Sequence, residues 1–284
     1  MLGIGDDCAI FRQRGSDQDL LFTTDMLVED VHFRRTTHRA EDAGWKALAR
    51  GLSDIAAMGG KPLFFLVSLA APPEAAKGWV NRFYRGLFQL ANREGVQLIG
   101  GDMARNDKVT CDMVVCGSVP RNTALRRDGA RTGDAIYVSG RLGGSALGLA
   151  GGPAAARRRH VRPEPRLALG RFLRDRLRAN AAMDLSDGLS LDLWRLCRAS
   201  KLAAVIEPPP CFPGATLEQA LHGGEDYELL FTAPAASRVP DQFQGLPLTR
   251  IGVMGKGRPG QVLLYGHVLP PLGYDHFSRQ TVSR

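Results

Sequence analysis

Seven aspartates in this chain fall where the sequence breaks rather than where it runs. Asp6 and Asp7 stand side by side in Gly3-Ile-Gly-Asp-Asp7, directly ahead of the apolar run Cys8-Ala9-Ile10-Phe11. Asp25 closes Leu20-Leu-Phe-Thr-Thr24, Asp54 sits in Gly51-Leu-Ser-Asp-Ile55, and Asp102 follows Leu98-Ile-Gly-Gly101. Asp184 and Asp187 bracket a turn ahead of Gly188. Any one of them is explained by a cap or a turn; Asp187 before Gly188 would cap the helix that follows. As a set they are anions at strand ends and helix starts, where chains tend to place function. Adjacent carboxylates against an apolar wall need cations or many N–H donors. Oxygen ligands without histidine or thiolate partners favour Mg²⁺ or Mn²⁺ over zinc. Mg²⁺ binds through few protein carboxylates plus substrate phosphates, so several converging aspartates imply several metals bridging a polyphosphate.

Common alternatives fail on spacing. Gly3-x-Gly5-x-x-Cys8 lacks the third glycine of a dinucleotide fingerprint, and no strand precedes it. There is no P-loop, no EF-hand loop and no protein-kinase catalytic-loop motif.

The elements that must position these residues follow from periodicity. Apolar positions Trp45, Leu48, Ala49, Leu52, Ile55 and Ala56 predict a helix over 42–58, stopped by Gly59-Gly60. A second helix is expected over 74–94, closed by Gly95. Strands are expected at 20–24, 62–71, 96–100 and 108–119. The turn-rich stretch Arg126–Gly133 divides the chain into units 1–133 and 134–284. The second unit carries strands at 135–139, 203–206, 229–232, 249–253 and 261–265. Its helices are expected at a glycine-rich start over 140–148, near 166–179 and at 188–199. Helix–strand alternation makes the fold class mixed α/β.

At 284 residues, with 44% hydrophobic and 23% charged residues, the chain has the balance of a globular protein. Its longest apolar stretch, Leu63–Ala71, is far short of the ~20 residues of a membrane span. No export signal is apparent, and five cysteines without C-x-x-C fit reduced thiols in a cytoplasm. The net charge of +8 comes from 31 arginines against six lysines. The densest cluster, Arg157 to Arg178, lacks aromatic interleaving, so anionic small molecules are expected rather than nucleic acid.

The stretches GIGDDCAI, TTDMLVEDVHF, KALARGLSDIAAMGG, LIGGD, RRDGARTGDAIYVSG, MDLSDGLSLDL and GGEDYELLFT occur in that order. Together with GYDHF at 273–277, the chain resembles the thiamine-monophosphate kinase family, of the aminoimidazole ribonucleotide synthetase-like superfamily. Two positions depart from that pattern: Asp30 stands where glycine is common, and Met103 where threonine is usual. The resemblance implies a two-domain fold, a homodimer through the N-terminal strands, and transfer of the ATP γ-phosphoryl to thiamine monophosphate. It implies metal ligation by Asp7, Asp25, Asp54, Asp102, Asp184 and Asp187, assisted by Thr23 and Thr24. Gly101, Asp102, Arg127 (or Arg126) and Ser186 would contact ATP; His32, Glu225, Tyr274 and Phe277 would contact the substrate. A phosphate monoester has its second pKa near ~6, so this nucleophile is already anionic and needs no strong base. The obstacle is repulsion between two polyanions, which Mg²⁺ ions relieve. A sister ATP-dependent synthetase would share the metal motifs, and a non-catalytic relative would have lost some of them.

Overall fold

The computed structural model describes residues 1–274; Phe277 lies outside the described residues. The first half of the chain builds a five-stranded sheet in the order β1-β2-β5-β3-β4. Its strands are β1 (Ala9–Phe11), β2 (Gln18–Val28), β3 (Lys61–Ala71), β4 (Gln97–Arg105) and β5 (Thr110–Pro120). Two helices, α1 (Ala40–Ala57) and α2 (Trp79–Glu94), accompany it. All neighbours in this sheet are antiparallel except β3 and β4.

Strand β2 runs three residues past the end expected at Asp25. Leu27 continues the alternation and is 1% exposed, and Met26–Val28 pair with Thr110–Asp112 of β5. Asp25 is therefore inside a strand. The period of two turns Thr23 and Asp25 toward α1, where they meet Asp54 and Arg50, and turns Thr24 away to Asp112. Strand β4 likewise extends to Arg105, so Asp102 is also a mid-strand residue. Helix α2 begins at Trp79 rather than at 74, because Pro72-Pro73 and Gly78 keep the intervening chain in turns.

Helix α1 is central, with fifteen of its eighteen residues buried. It crosses α2 at a glycine pair: a Cβ on Gly44 would lie 1.9 Å from the Phe83 carbonyl oxygen, and one on Gly86 1.8 Å from that of Glu41. Only glycine lets the helices approach this closely.

The second half forms another sheet, in the order β13-β12-β8-β11-β6-β9-β7, with β10 paired to β11. These strands are β6 (Ala135–Ser139), β7 (Ala181–Asp184), β8 (Ala203–Ile206), β9 (Leu229–Ala233), β10 (Gln242–Phe243), β11 (Leu246–Gly255), β12 (Val262–Leu264) and β13 (His267–Val268). Helices α3 (Gly144–Leu149), α4 (Ala154–Val161), α5 (Leu167–Phe172), α6 (Leu189–Ala199) and α7 (Leu217–His222) connect them. The helix expected near 166–179 is thus short. A single π turn, Leu173–Leu177, follows α5 and ends at Arg178 in the left-handed region, φ 54°. Between the sheets α1 meets β7 through a hydrogen bond from Ser53 Oγ to Asp184 Oδ2, 2.6 Å.

Candidate functional site

Helix α1 supplies the floor of the site. Along its length Lys46, Arg50 and Asp54 recur every four residues and so share one face. Arg50 and Asp54 line a cleft of ≈1120 Å³ between the two sheets, and Lys46 is buried behind it.

Three carboxylates converge in it. Asp7 precedes β1, Asp54 is on α1 and Asp184 ends β7, and each offers an oxygen within 4.8 Å of the others. Thr23 Oγ1 donates to Asp54 Oδ2 at 2.5 Å, and Ser53 Oγ to Asp184. Asp7 Oδ1 accepts from the Arg127 guanidinium, while Asp7 Oδ2 is buried without a hydrogen-bond partner among the described residues. Burial first, then mutual repulsion, pushes Asp54 and Asp184 well above the usual carboxylate range. Burial pushes Asp7 up as well, against the pull of Arg127. Asp6, bonded through the Arg127 backbone N–H, is pushed up to about 7 by burial and by Asp7. Three carboxylates facing one guanidinium leave an excess of negative charge, and the orphaned Asp7 oxygen faces no donor. This all-oxygen donor set fits a hard divalent cation.

Two further aspartates already hold cations. Asp25 Oδ1 accepts from Arg50 Nη2 at 2.5 Å, and Asp187 Oδ2 from Arg195 Nη1 at 2.5 Å. Arg195 also reaches Asp192, whose other oxygen accepts from the N–H groups of Asp187 and Gly188.

The far wall is a buried ionic cluster. Lys46, fully buried, places Nζ 2.8 Å from Glu225 Oε1 and donates to the His32 carbonyl at 3.1 Å. His160 Nδ1 lies 3.4 Å from Glu225 Oε2, and the His160 and His38 rings meet at 5.4 Å. Burial alone would raise Glu225, but Lys46, His160 and Arg50 outweigh it and hold the carboxyl at about 2. Burial, then Lys46, holds both His38 and His160 at about 4, so they are neutral. Glu225 and Tyr227 both have positive φ, 65° and 50°. Backbone strain of this kind, of order 1–3 kcal/mol per residue, is concentrated at functional sites. Asp30, with φ 67°, adopts the conformation glycine takes most easily, which accounts for the glycine the resemblance puts there.

The cleft is lined by Asp7, Thr23, Thr24, Asp25, Asp54, Arg127, Asp184, Ser186 and Asp187, and also by His32, Glu225 and Tyr274. Arg127 lines it and Arg126 does not; Arg126 pairs with Asp128. Gly101 and Asp102 are on β4, outside that lining. Gly101 has a packing reason of its own, since a Cβ there would meet the Val67 carbonyl oxygen at 2.0 Å. Lys46, Arg50, His38 and His160 also belong to the site, though no short motif marks them. The four-residue spacing of Lys46, Arg50 and Asp54 in a buried helix was the available signal.

The model of the family AIR synthase related protein, N-terminal domain, matches residues 5–119. Thiamine-monophosphate kinase of Escherichia coli O157:H7 is 40% identical, covering 98% of this chain and 92% of the relative. That of Bacillus subtilis is 35% identical, over 97% and 93%. The chain belongs to the thiamine-monophosphate kinase family. It is an enzyme of that family, with the mixed α/β fold expected from its sequence. AaThiL complexed with AMPPCP and TMP superposes with a TM-score of 0.87 at 34% identity, covering 96% of this chain and 92% of the other.

Proposed function

We propose that this kinase transfers the γ-phosphoryl of ATP to the phosphate of thiamine monophosphate, giving thiamine diphosphate. The observation that carries the reading is the convergence of Asp7, Asp54 and Asp184 in a cleft that also holds the strained Glu225. Family membership and the AMPPCP and TMP of the AaThiL complex supply the substrates. Asp7, Asp54 and Asp184 would hold Mg²⁺ with help from Thr23, and Asp25 and Asp187, on the same cleft, would hold further ions. A divalent ion bound there neutralises phosphate charge and polarises the transferring group.

The chain's own groups do the rest. Arg127 holds Asp6 and Asp7 and lines the cleft, and a guanidinium suits bidentate phosphate contact. Ser186, on the lining of the same cleft, completes the proposed ATP contacts. Glu225, held ionised, attracts the cationic thiamine ring, and His32 and Tyr274 border the same cleft. No general base is required, because the acceptor phosphate is already anionic near neutral pH.

The two sheets support the division into units 1–133 and 134–284. Among the described residues no helix is long and apolar enough to cross a membrane. The five free thiols support a cytoplasmic setting. The exposed strand β4 supports a homodimer through the first sheet.

Measuring ATP consumption with thiamine monophosphate, thiamine and other phosphorylated acceptors tests the reading. Thiamine monophosphate should turn over and thiamine should not. Equal turnover of thiamine would overturn the phosphate-acceptor mechanism, and preference for another phosphorylated acceptor would favour a sister synthetase.

A further inference from the structure

Arg50 is a cation inside the site that the transfer chemistry above does not use. It stands one turn before Asp54 on α1, with its side chain 11% exposed. Nη2 donates to Asp25 Oδ1 at 2.5 Å, and Nη1 donates to the Met26 carbonyl at 2.6 Å. Contacts from two nitrogens fix the plane of the guanidinium, unlike a surface pair held by one flexible end.

Charge is shared unevenly across the cleft. Asp7, Asp54 and Asp184 face one guanidinium, that of Arg127; Asp54 and Asp184 accept only from hydroxyls, with no ion pair among the described residues. Asp25 has a full positive charge at hydrogen-bond distance, and its neighbour Glu225 has Lys46. One side of the site is anionic and the other is balanced. A divalent cation gains most where the charge is unbalanced. At Asp25 it must first break a charge-assisted hydrogen bond, and arginine cannot lose a proton to make way.

We propose that Arg50 is an internal counter-ion that holds the place of a divalent cation at Asp25. Metal then loads first on Asp7, Asp54 and Asp184, and reaches Asp25 only by displacing the guanidinium into the cleft that Arg50 lines. This rests on the metal reading of the three converging aspartates.

The test is a Mn²⁺ titration of the full chain without nucleotide, followed by calorimetry and by the electron paramagnetic resonance signal of free Mn²⁺. The parent chain should show one tight class of site, abolished by Asp54→Asn. Arg50→Met should add a second class, or tighten the weak one at least about tenfold, the equivalent of ~1.4 kcal/mol. Adding Asp25→Asn to Arg50→Met should remove that gain. Arg50→Gln, which keeps a donor for the Met26 carbonyl but no charge, should behave like Arg50→Met and covers the case where the latter fails to fold. An isotherm unchanged in both Arg50 variants overturns the counter-ion role and leaves the three-aspartate site standing. No Mn²⁺ bound by the parent chain or the Arg50 variants overturns that site, and the counter-ion role with it.

Discussion

Asp54 is bound on one oxygen by Thr23 and otherwise surrounded by anions, so its charge and its shape can be separated by substitution. Asp54→Asn keeps an oxygen to accept from Thr23 and removes one of three converging charges. Loss of one such charge-stabilising group typically lowers turnover about 10²–10³-fold. In EDTA the same variant should melt no earlier than the parent, because a neutral amide sits among the neighbouring carboxylates without having to take up a proton. A variant that melts much earlier yet keeps its turnover would assign Asp54 to structure instead. The neighbouring carboxyls predict a pH effect of definite sign. Asp6 is raised to about 7, and Asp7, Asp54 and Asp184 are raised too, so the metal-free fold retains protons that the unfolded chain releases above ~4. Their contribution to stability therefore falls as pH rises through about 7. Bound metal requires the ionised forms and cancels that loss. His38 and His160 slope the other way, but equally with and without metal. The rise in Tm on adding Mg²⁺ should thus grow between pH 5.5 and 8, and a pH-independent rise would contradict the assignment.

At the scale of elements, what was legible was what local periodicity writes. The apolar stripe of α1 announced the helix to within two residues, and the Lys46, Arg50, Asp54 spacing was there to be read as its polar face. Asp25 lies inside its strand although an aspartate usually stops one, because eleven paired residues of β5 carry β2 past it. Strand β7, Ala-Ala-Met-Asp, is buried at all four positions and so shows no alternation to detect. The links between elements were invisible for a different reason, since they join residues far apart in the chain. Glu228 is the main example. Fully buried, it accepts from Ser139 Oγ at 2.5 Å and from Arg166 Nε at 2.8 Å, and it also holds Arg159 on α4. Removing one partner of a buried charge cluster costs about 3–5 kcal/mol. For a chain of this size Glu228→Gln should lower Tm by roughly 6–20 °C. Ser139→Ala removes a neutral donor to Glu228 and the oxygen that accepts from the Leu229 N–H, and should cost less, about 1–3 kcal/mol. Equal small losses in the two melting curves would show that the arginines are not held by this carboxylate.

For the whole molecule, the unfinished surface is the outer edge of the first sheet. Strand β4 has β3 as its neighbour and leaves every residue but Leu98 exposed. Ile99 and Met103 are 56% and 57% exposed, and Met26 on β2 is 51% exposed. Asp102, Ser68, Asp112 and Met26 stand in register across the four strands from β4 to β2. An uncovered edge with apolar side chains invites pairing with another strand, and chains with such edges normally blunt or cover them. A two-fold symmetric partner presenting the same surface closes both edges at once, whereas an open head-to-tail contact would propagate. The expected species is therefore a homodimer, with twice the 30.8 kDa chain mass by light scattering at micromolar concentration. Charge placed on this surface should undo it. Ile99→Glu with Met103→Glu introduces four carboxylates per dimer interface and should shift the mass to that of one chain. Both side chains are exposed in the single chain, so its Tm at low concentration should stay within a few degrees of the parent. A parent chain that scatters as a monomer, or a double variant that remains dimeric, would move the interface away from β4.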